Sequence, residues 1–200
     1  MLRVGLTGGL ASGKSFVAST LEELGCAVFR ADEAGRRVML RGGPAYEAVI
    51  AEFGPDILRP DGEIDRRALA AIVFADQARL AALNRIIHPL VIAQEEEFFR
   101  QQAARNPCGI AVVEAAILIE TGSYKRFDKL ILTWCRPEQQ LERALARSMS
   151  REEALARMAA QMPLDEKRRY ADFVIDTSGT REHTREQTVA VFEALKGLCR

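Results

Sequence analysis

The chain has only two histidines, His88 and His183, and four cysteines, Cys26, Cys108, Cys135 and Cys199, with no CxxC pair among them. Structural zinc sites gather thiolates and imidazoles in closely spaced pairs, so this distribution argues against one. The thiols read instead as reduced groups of a cytosolic protein. Net charge is lacking too, since 28 basic side chains balance 28 acidic ones. A protein whose main task is to neutralise nucleic-acid phosphates carries an excess of Lys and Arg, so no nucleic-acid partner is expected. No stretch approaches the roughly 20 apolar residues that cross a bilayer, so no membrane partner is expected either. The opening MLRVGLTGG has too short an apolar run for a secretory signal. Internal repeats and low-complexity tracts are missing. These absences point to the cytoplasm, and 200 residues suffice for one good core with a modest second lobe.

What is present begins with a short apolar run, Leu2 to Thr7, ended by Gly8-Gly9. It reads as a buried strand. Helical spacing follows from Ser15 to Leu24, with Gly25 as a C-cap, and Cys26 to Phe29 reads as a second strand. Strand, loop, helix and strand within about thirty residues make a βαβ unit, hence a parallel sheet with a right-handed crossover. From Asp32 to Leu40 and on to Arg105 the pattern is helical, broken at Gly42-Gly43-Pro44, Gly54-Pro55 and Pro60-Asp61-Gly62. Within it, Ile64 to Phe74, Gln77 to Ile87 and Pro89 to Ala104 are expected as separate helices. The runs Ile110–Glu114 and Lys129–Trp134 are strands of the continuous apolar kind found in parallel sheets. Pro137 to Met162 reads as one charged helix, Ala171 to Ile175 as a last strand, and Thr184 to Gly197 as a closing helix.

Five groups of residues carry chemistry. In Gly8-Gly9-Leu10-Ala11-Ser12-Gly13-Lys14-Ser15, glycines frame four residues and Lys-Ser follows. Glycine permits the backbone conformations that turn successive N–H groups inward as an anion nest, and the following helix adds its positive end. Lys14 would reach the β- and γ-phosphates and the Ser15 hydroxyl would ligate Mg²⁺. Asp32 follows the second strand at the carboxyl end of the sheet, where open α/β folds bind ligands. It suits a base toward an attacking hydroxyl, or equally a helix N-cap. Glu114, at the end of its strand, suits a magnesium-organising acid, with Glu120 as a second candidate, and each is also an ordinary surface acid. Arg143, Arg147 and Arg151 step by four and would share one helix face. That face is either a lid over phosphoryl groups or a solvated surface paired with nearby glutamates. Arg66 and His88, in the helical stretch, suit acceptor binding or plain structural roles.

In this order, the groups resemble the dephospho-coenzyme A kinase family. The likeness begins at LTGGLASGKS (6–15), similar to that family's LTGGIGSGKS, and continues through Ala31-Asp32, the second half of a DAD motif. It includes IDRRAL (64–69), LNRIIHPLV (83–91), ILIE (117–120), RPEQQLERALAR (136–147), SREEALARMAAQMPLDEK (150–167) and ADFVIDTSG (171–179). The resemblance implies a P-loop kinase fold: a three-layer α/β/α nucleotide core with a parallel sheet, a helical acceptor-binding insertion and a helical lid. The core would be 1–30 with 107–135 and 169–200, the insertion 31–106 and the lid 136–168. It implies that ATP, with Mg²⁺, phosphorylates the ribose 3′-hydroxyl of dephospho-CoA to give CoA and ADP, the last step of CoA biosynthesis. The expected species is a monomer, with a homo-oligomer as the alternative.

By the same likeness, Gly8, Gly9, Ala11, Ser12, Gly13, Lys14, Ser15 and Phe16 bind ATP with Arg143 and Arg147. Asp32, Arg66, His88 and Glu120 bind the acceptor, Ser15 and Glu114 hold the metal, and Asp32, Lys14 and Arg143 are catalytic. The sequence departs from the family at Arg30, where the first Asp of DAD is usual, and at Phe16, Glu114, Ala116 and Thr177, where Thr, Asp, Pro and Asn are usual. Two rival readings are a kinase for another nucleotide or small alcohol, and a nucleotide-binding regulator without acceptor chemistry.

Overall fold

The computed structural model describes residues 1–198, so Cys199 lies outside the described residues. Five strands form one parallel sheet: β1 (Leu2–Gly8), β2 (Ala27–Arg30), β3 (Ile110–Glu114), β4 (Lys129–Trp134) and β5 (Phe173–Asp176). Their order across the sheet is β2-β3-β1-β4-β5. β3 and β4 keep the bounds their apolar runs suggest, while β5 starts two residues later than Ala171. β1 is flanked by β3 through Leu6↔Glu114 and by β4 through Gly8↔Thr133. The chain leaves β1 toward β2 on one side and later returns to β4 on the other. The carboxyl end of β1 is therefore a topological switch point, where such sheets bind ligands.

Two helices cover one face. α1 (Lys14–Glu23) and α9 (Arg181–Leu198) pack Val17, Ala18, Leu21, Val191 and Leu195 against Val4, Leu6, Val112, Ile131 and Ile175. Most of these side chains are fully buried, and burying each contributes on the order of 1.5–3 kcal/mol. α1 ends as its glycine predicts. Gly25 takes φ 100°, its N–H donates to Glu22 O, and Cys26 N–H donates to Leu21 O, closing the helix with two bonds.

The chain divides into two compact units, Met1–Arg30 with Phe98 onward, and Ala31–Glu97. The second contains α2 (Ala31–Val38), α3 (Tyr46–Phe53), α4 (Arg66–Ala75) and most of α5 (Gln77–Arg105). Asp65 caps α4 by accepting from the N–H groups of Arg67 and Ala68.

Two helical expectations are corrected. Gln77 to Ala104 is not two helices broken before Pro89 but one, with Pro89 inside it. A proline in a helix interior costs about 3 kcal/mol. Ile87 and Val91, buried on either side of it, pack where α2 brings Gly35 close, and that packing offsets the cost. The charged stretch from Pro137 to Met162 is not one helix but two, α6 (Pro137–Leu145) and α7 (Arg151–Ala159). Ser148 takes the left-handed φ of 62°, and the Ser150 hydroxyl caps α7 by accepting from Glu153 N–H. α8 (Leu164–Lys167) completes this region. Among the described residues no helix is long and apolar enough to cross a membrane. Cys135 is fully buried, and burial pushes its thiol up.

Candidate active site

Residues 8–15 leave β1 and fold back to start α1, and two of them adopt left-handed backbone: Ala11 at φ 52° and Gly13 at φ 89°. Gly13 O accepts from Phe16 and Val17 N–H, so the first helical turn begins on the loop itself. The Ser12 hydroxyl bonds Gly9 O at 3.0 Å and Thr133 Oγ1 at 2.8 Å, pinning the loop to β4. Gly8 must be glycine, because a Cβ there would lie 2.9 Å from Thr133 O. The Lys14 ammonium is buried and donates to Gly9 O at 2.8 Å and Gly8 O at 3.3 Å. A buried positive charge thus stands in the loop at a helix N-terminus, the electrostatic setting that favours phosphate.

At the far end of the loop, Ser15 Oγ donates to Glu114 Oε1 at 2.9 Å. The other carboxylate oxygen faces Arg30 Nε at 3.8 Å, while Arg30 Nη2 donates to Glu22 at 2.8 Å. Hydrogen bonding from Arg30 holds the Glu22 carboxyl below its usual range. The arginine therefore lies against the acid rather than pointing away from it. One hydroxyl and one carboxylate fit the protein's share of a Mg²⁺ site, because Mg²⁺ takes one or two carboxylates and completes its shell with water and substrate phosphates. Among the described residues no group of three or more His, Cys, Asp or Glu is placed to hold a metal ion.

Arg143, on α6, reaches Thr177 just beyond β5, with Nη2 donating to Thr177 O at 2.6 Å and Nη1 to Thr177 Oγ1 at 3.3 Å. The Thr177 hydroxyl in turn donates to Ser12 O at 2.8 Å. Arg143 is thereby linked to the phosphate loop through Thr177. The expected arginine ladder does not exist. α6 ends at Leu145, so Arg147 lies exposed in the turn after it, and Arg151 opens α7 beyond the left-handed Ser148; the three arginines therefore share no helix face. The signal for this break was in the sequence as Ser150-Arg151-Glu152-Glu153, a serine followed three residues later by glutamate, which marks a helix start.

Two glutamines that pattern reading passed over also touch the loop. Gln140 Nε2 donates to Leu10 O at 2.7 Å, and Gln161 Oε1 accepts from Leu10 N–H at 2.8 Å. Gln140 is buried on the same face of α6 as Ala144. Glu120 pairs with Lys167 Nζ at 2.8 Å and accepts from Met162 N–H at 3.0 Å. Burial drives the Lys167 ammonium pKa down, opposed by Glu120. Phe16 faces the guanidinium of Arg181, 5.7 Å from its ring centre.

The remaining sequence candidates belong to the helical unit. Asp32 stands exposed in the first turn of α2, which starts one residue before it, so it is not an N-cap. Arg66 is the exposed first residue of α4. His88 is half-buried within α5, and burial lowers its pKa from 6.5.

Residues 2–183 match the family model described as dephospho-CoA kinase. A dephospho-CoA kinase of Symbiobacterium thermophilum is 45% identical over 197 residues, covering 97% of this chain and 81% of that protein. One of Carboxydothermus hydrogenoformans is 43% identical, covering 96% and 94%. Among solved structures, a Thermus thermophilus protein superposes with TM-score 0.80 at 33% identity, covering 97% of both chains. A dephospho-CoA kinase of Campylobacter jejuni gives TM-score 0.69 at 26% identity, covering 98% and 97%. A shikimate kinase of Acinetobacter baumannii, at 14% identity and TM-score 0.52, shares the fold.

Proposed function

The chain belongs to the dephospho-CoA kinase family, and from that premise we propose that residues 8–15 hold ATP while Asp32 activates the ribose 3′-hydroxyl of dephospho-CoA. The reaction gives CoA and ADP, the last step of CoA biosynthesis. The observation that carries this reading is the loop at the carboxyl end of β1, where the Lys14 ammonium bonds the carbonyl of Gly9 and the adjacent Ser15 hydroxyl bonds the Glu114 carboxylate.

Phosphoryl transfer asks little covalent chemistry of a protein and a good deal of positioning and charge stabilisation. The loop amides and Lys14 would neutralise the β- and γ-phosphates, with Lys14 exchanging its loop carbonyls for phosphate oxygens. Ser15 and Glu114 would hold Mg²⁺, which would supply positive charge to offset the negative charge of the phosphates. Arg143 and Arg147 would bring further positive charge from the lid side, residues 136–168. Arg66, His88 and Glu120 would bind the acceptor, and the helical stretch 31–106 would form its pocket. Asp32 would accept the proton of the 3′-hydroxyl as that oxygen attacks the γ-phosphorus and the bond to the ADP oxygen breaks.

The family pattern supports these roles, with Glu114 standing where Asp is usual. Zero formal net charge supports small-molecule substrates over a polyanion. The proposal extends to a cytoplasmic, monomeric enzyme. Replacing Asp32 by Asn tests the acid–base step. The expected result is a fall in kcat of about 10²-fold or more, with ATP affinity kept. Near-normal turnover would rule out Asp32 as the base.

A further inference from the structure

Leu10 of the phosphate loop is gripped through both of its backbone polar groups by side chains from another part of the fold. Its N–H donates to Gln161 Oε1 at 2.8 Å, and its C=O accepts from Gln140 Nε2 at 2.7 Å. The donor–acceptor complementarity fixes the orientation of both amides. Gln140 comes from α6 and Gln161 from the turn after α7, so the two helices hold the loop between them. Ala11, Ala144 and Ala154 form a small buried cluster with Leu10, Leu141 and Met149 packed on it. Gln140 Nε2 comes so near Gly9 that a Cβ there would collide with it.

The next residue shows what the grip is for. Ala11 has φ 52°, a left-handed conformation disfavoured for any residue with a Cβ. Such a conformation persists where its surroundings over-determine it. Here the surroundings are the two hydrogen bonds on Leu10 and the alanine cluster beneath it. The grip is itself anchored. Met162, next to Gln161, donates its N–H to Glu120, and Glu120 is tied to the fully buried Lys167. Lys167 Nζ donates to Ala116 O, which also accepts from Thr7 Oγ1 on β1. A continuous chain of bonds therefore runs from the strand before the loop, through Lys167 and Glu120, back to the loop.

We propose that Gln140 and Gln161 are positioning residues that hold the outer arm of the phosphate loop in its anion-binding shape, so that the α6–α7 hairpin sets ATP affinity. The inference rests on the reading of residues 8–15 as the ATP site. Preorganisation of this kind acts equally on ground state and transition state, so losing it raises KM and leaves kcat nearly unchanged. A purely structural role would lower thermal stability without moving KM in the folded protein.

The test uses the full chain with Gln140→Met, Gln161→Met and the double variant, measuring ATP binding by calorimetry, steady-state KM and kcat, and amide hydrogen exchange at Leu10. Each single change should weaken ATP binding and raise KM about 3- to 10-fold, the scale of one neutral hydrogen bond, with kcat within about twofold. Leu10 amide exchange should accelerate in Gln161→Met and much less in Gln140→Met, because only the former loses the acceptor of that N–H. If a Met variant fails to fold, Gln161→Asn, one methylene too short to reach, takes its place. Folded variants with wild-type KM and wild-type Leu10 exchange overturn the proposal. A wild-type chain that binds no ATP overturns the nucleotide reading instead, whatever Leu10 exchange does, and removes the clamp as a determinant of affinity.

Discussion

Ser15 and Glu114 are joined by a hydrogen bond of 2.9 Å that ties the last residue of the phosphate loop to the last residue of β3. Ninety-nine positions apart in sequence, they meet because β1 and β3 are neighbouring parallel strands in register at Leu6↔Glu114. A hydroxyl and a carboxylate held this way offer two hard oxygens side by side, and Arg30 steadies the second carboxylate oxygen from 3.8 Å.

Glu114→Gln keeps an acceptor for the Ser15 hydroxyl and removes the negative charge. The half-saturating Mg²⁺ concentration should rise about tenfold or more, in line with the 1.5–3 kcal/mol of an interaction with a charged group. A magnesium titration of turnover at fixed ATP reads this directly, and an unchanged midpoint would remove Glu114 from the metal site.

Lys14→Ala should lower kcat/KM by roughly 10²- to 10³-fold, the usual effect of deleting one donor aimed at developing charge. The fold should survive, because the lysine's partners, Gly8 O and Gly9 O, lie on the loop rather than in the core. Circular dichroism and thermal melting check the second half. An unfolded variant would make the lysine structural.

Two glycine-to-alanine changes should have opposite signs. Gly8→Ala forces a Cβ to within 2.9 Å of the Thr133 carbonyl and should destabilise by about 1–3 kcal/mol. Gly35→Ala, inside α2, meets nothing nearer than Ile87 at 3.6 Å. It should stabilise by about 0.5–1 kcal/mol through the lower helix cost of alanine. Urea denaturation midpoints of the two variants decide it.

Much of this arrangement was legible in the sequence, and the exceptions have physical reasons. IAVVE and KLILTW are bounded by turn residues and buried along nearly their whole length, so an apolar run alone marks them. The glycine-framed loop is legible because its backbone demands particular residues. The continuity of α5 through Pro89 was not, since the local penalty of proline is visible while the packing of Ile87 and Val91 that offsets it is tertiary. Arg143, Arg147 and Arg151 looked like one face because spacing was read without the serine cap that breaks the helix. The roles of Gln140 and Gln161 were hidden for another reason. Their partner is the backbone of Leu10, and no side-chain pattern records a backbone partner.

His88 should make stability depend on pH. Burial lowers its folded pKa below 6.5, so the unfolded chain binds the proton more readily. Stability is then fully present above about pH 6.5 and falls as the pH drops below it. Urea midpoints for wild type and His88→Gln at pH 7.5 and 5.5 should show that the variant loses less on acidification. Equal losses would contradict the buried neutral imidazole.

The central claim is that this chain transfers a phosphoryl group to one particular acceptor. The most direct measurement is ADP release from ATP and Mg²⁺ with dephospho-CoA, beside a panel of other nucleotides and small alcohols, with the product identified by phosphorus NMR. The account predicts ADP formation that depends on dephospho-CoA and yields a new 3′-phosphomonoester in equal amount. ADP formation indifferent to dephospho-CoA, or faster with another acceptor, would contradict it.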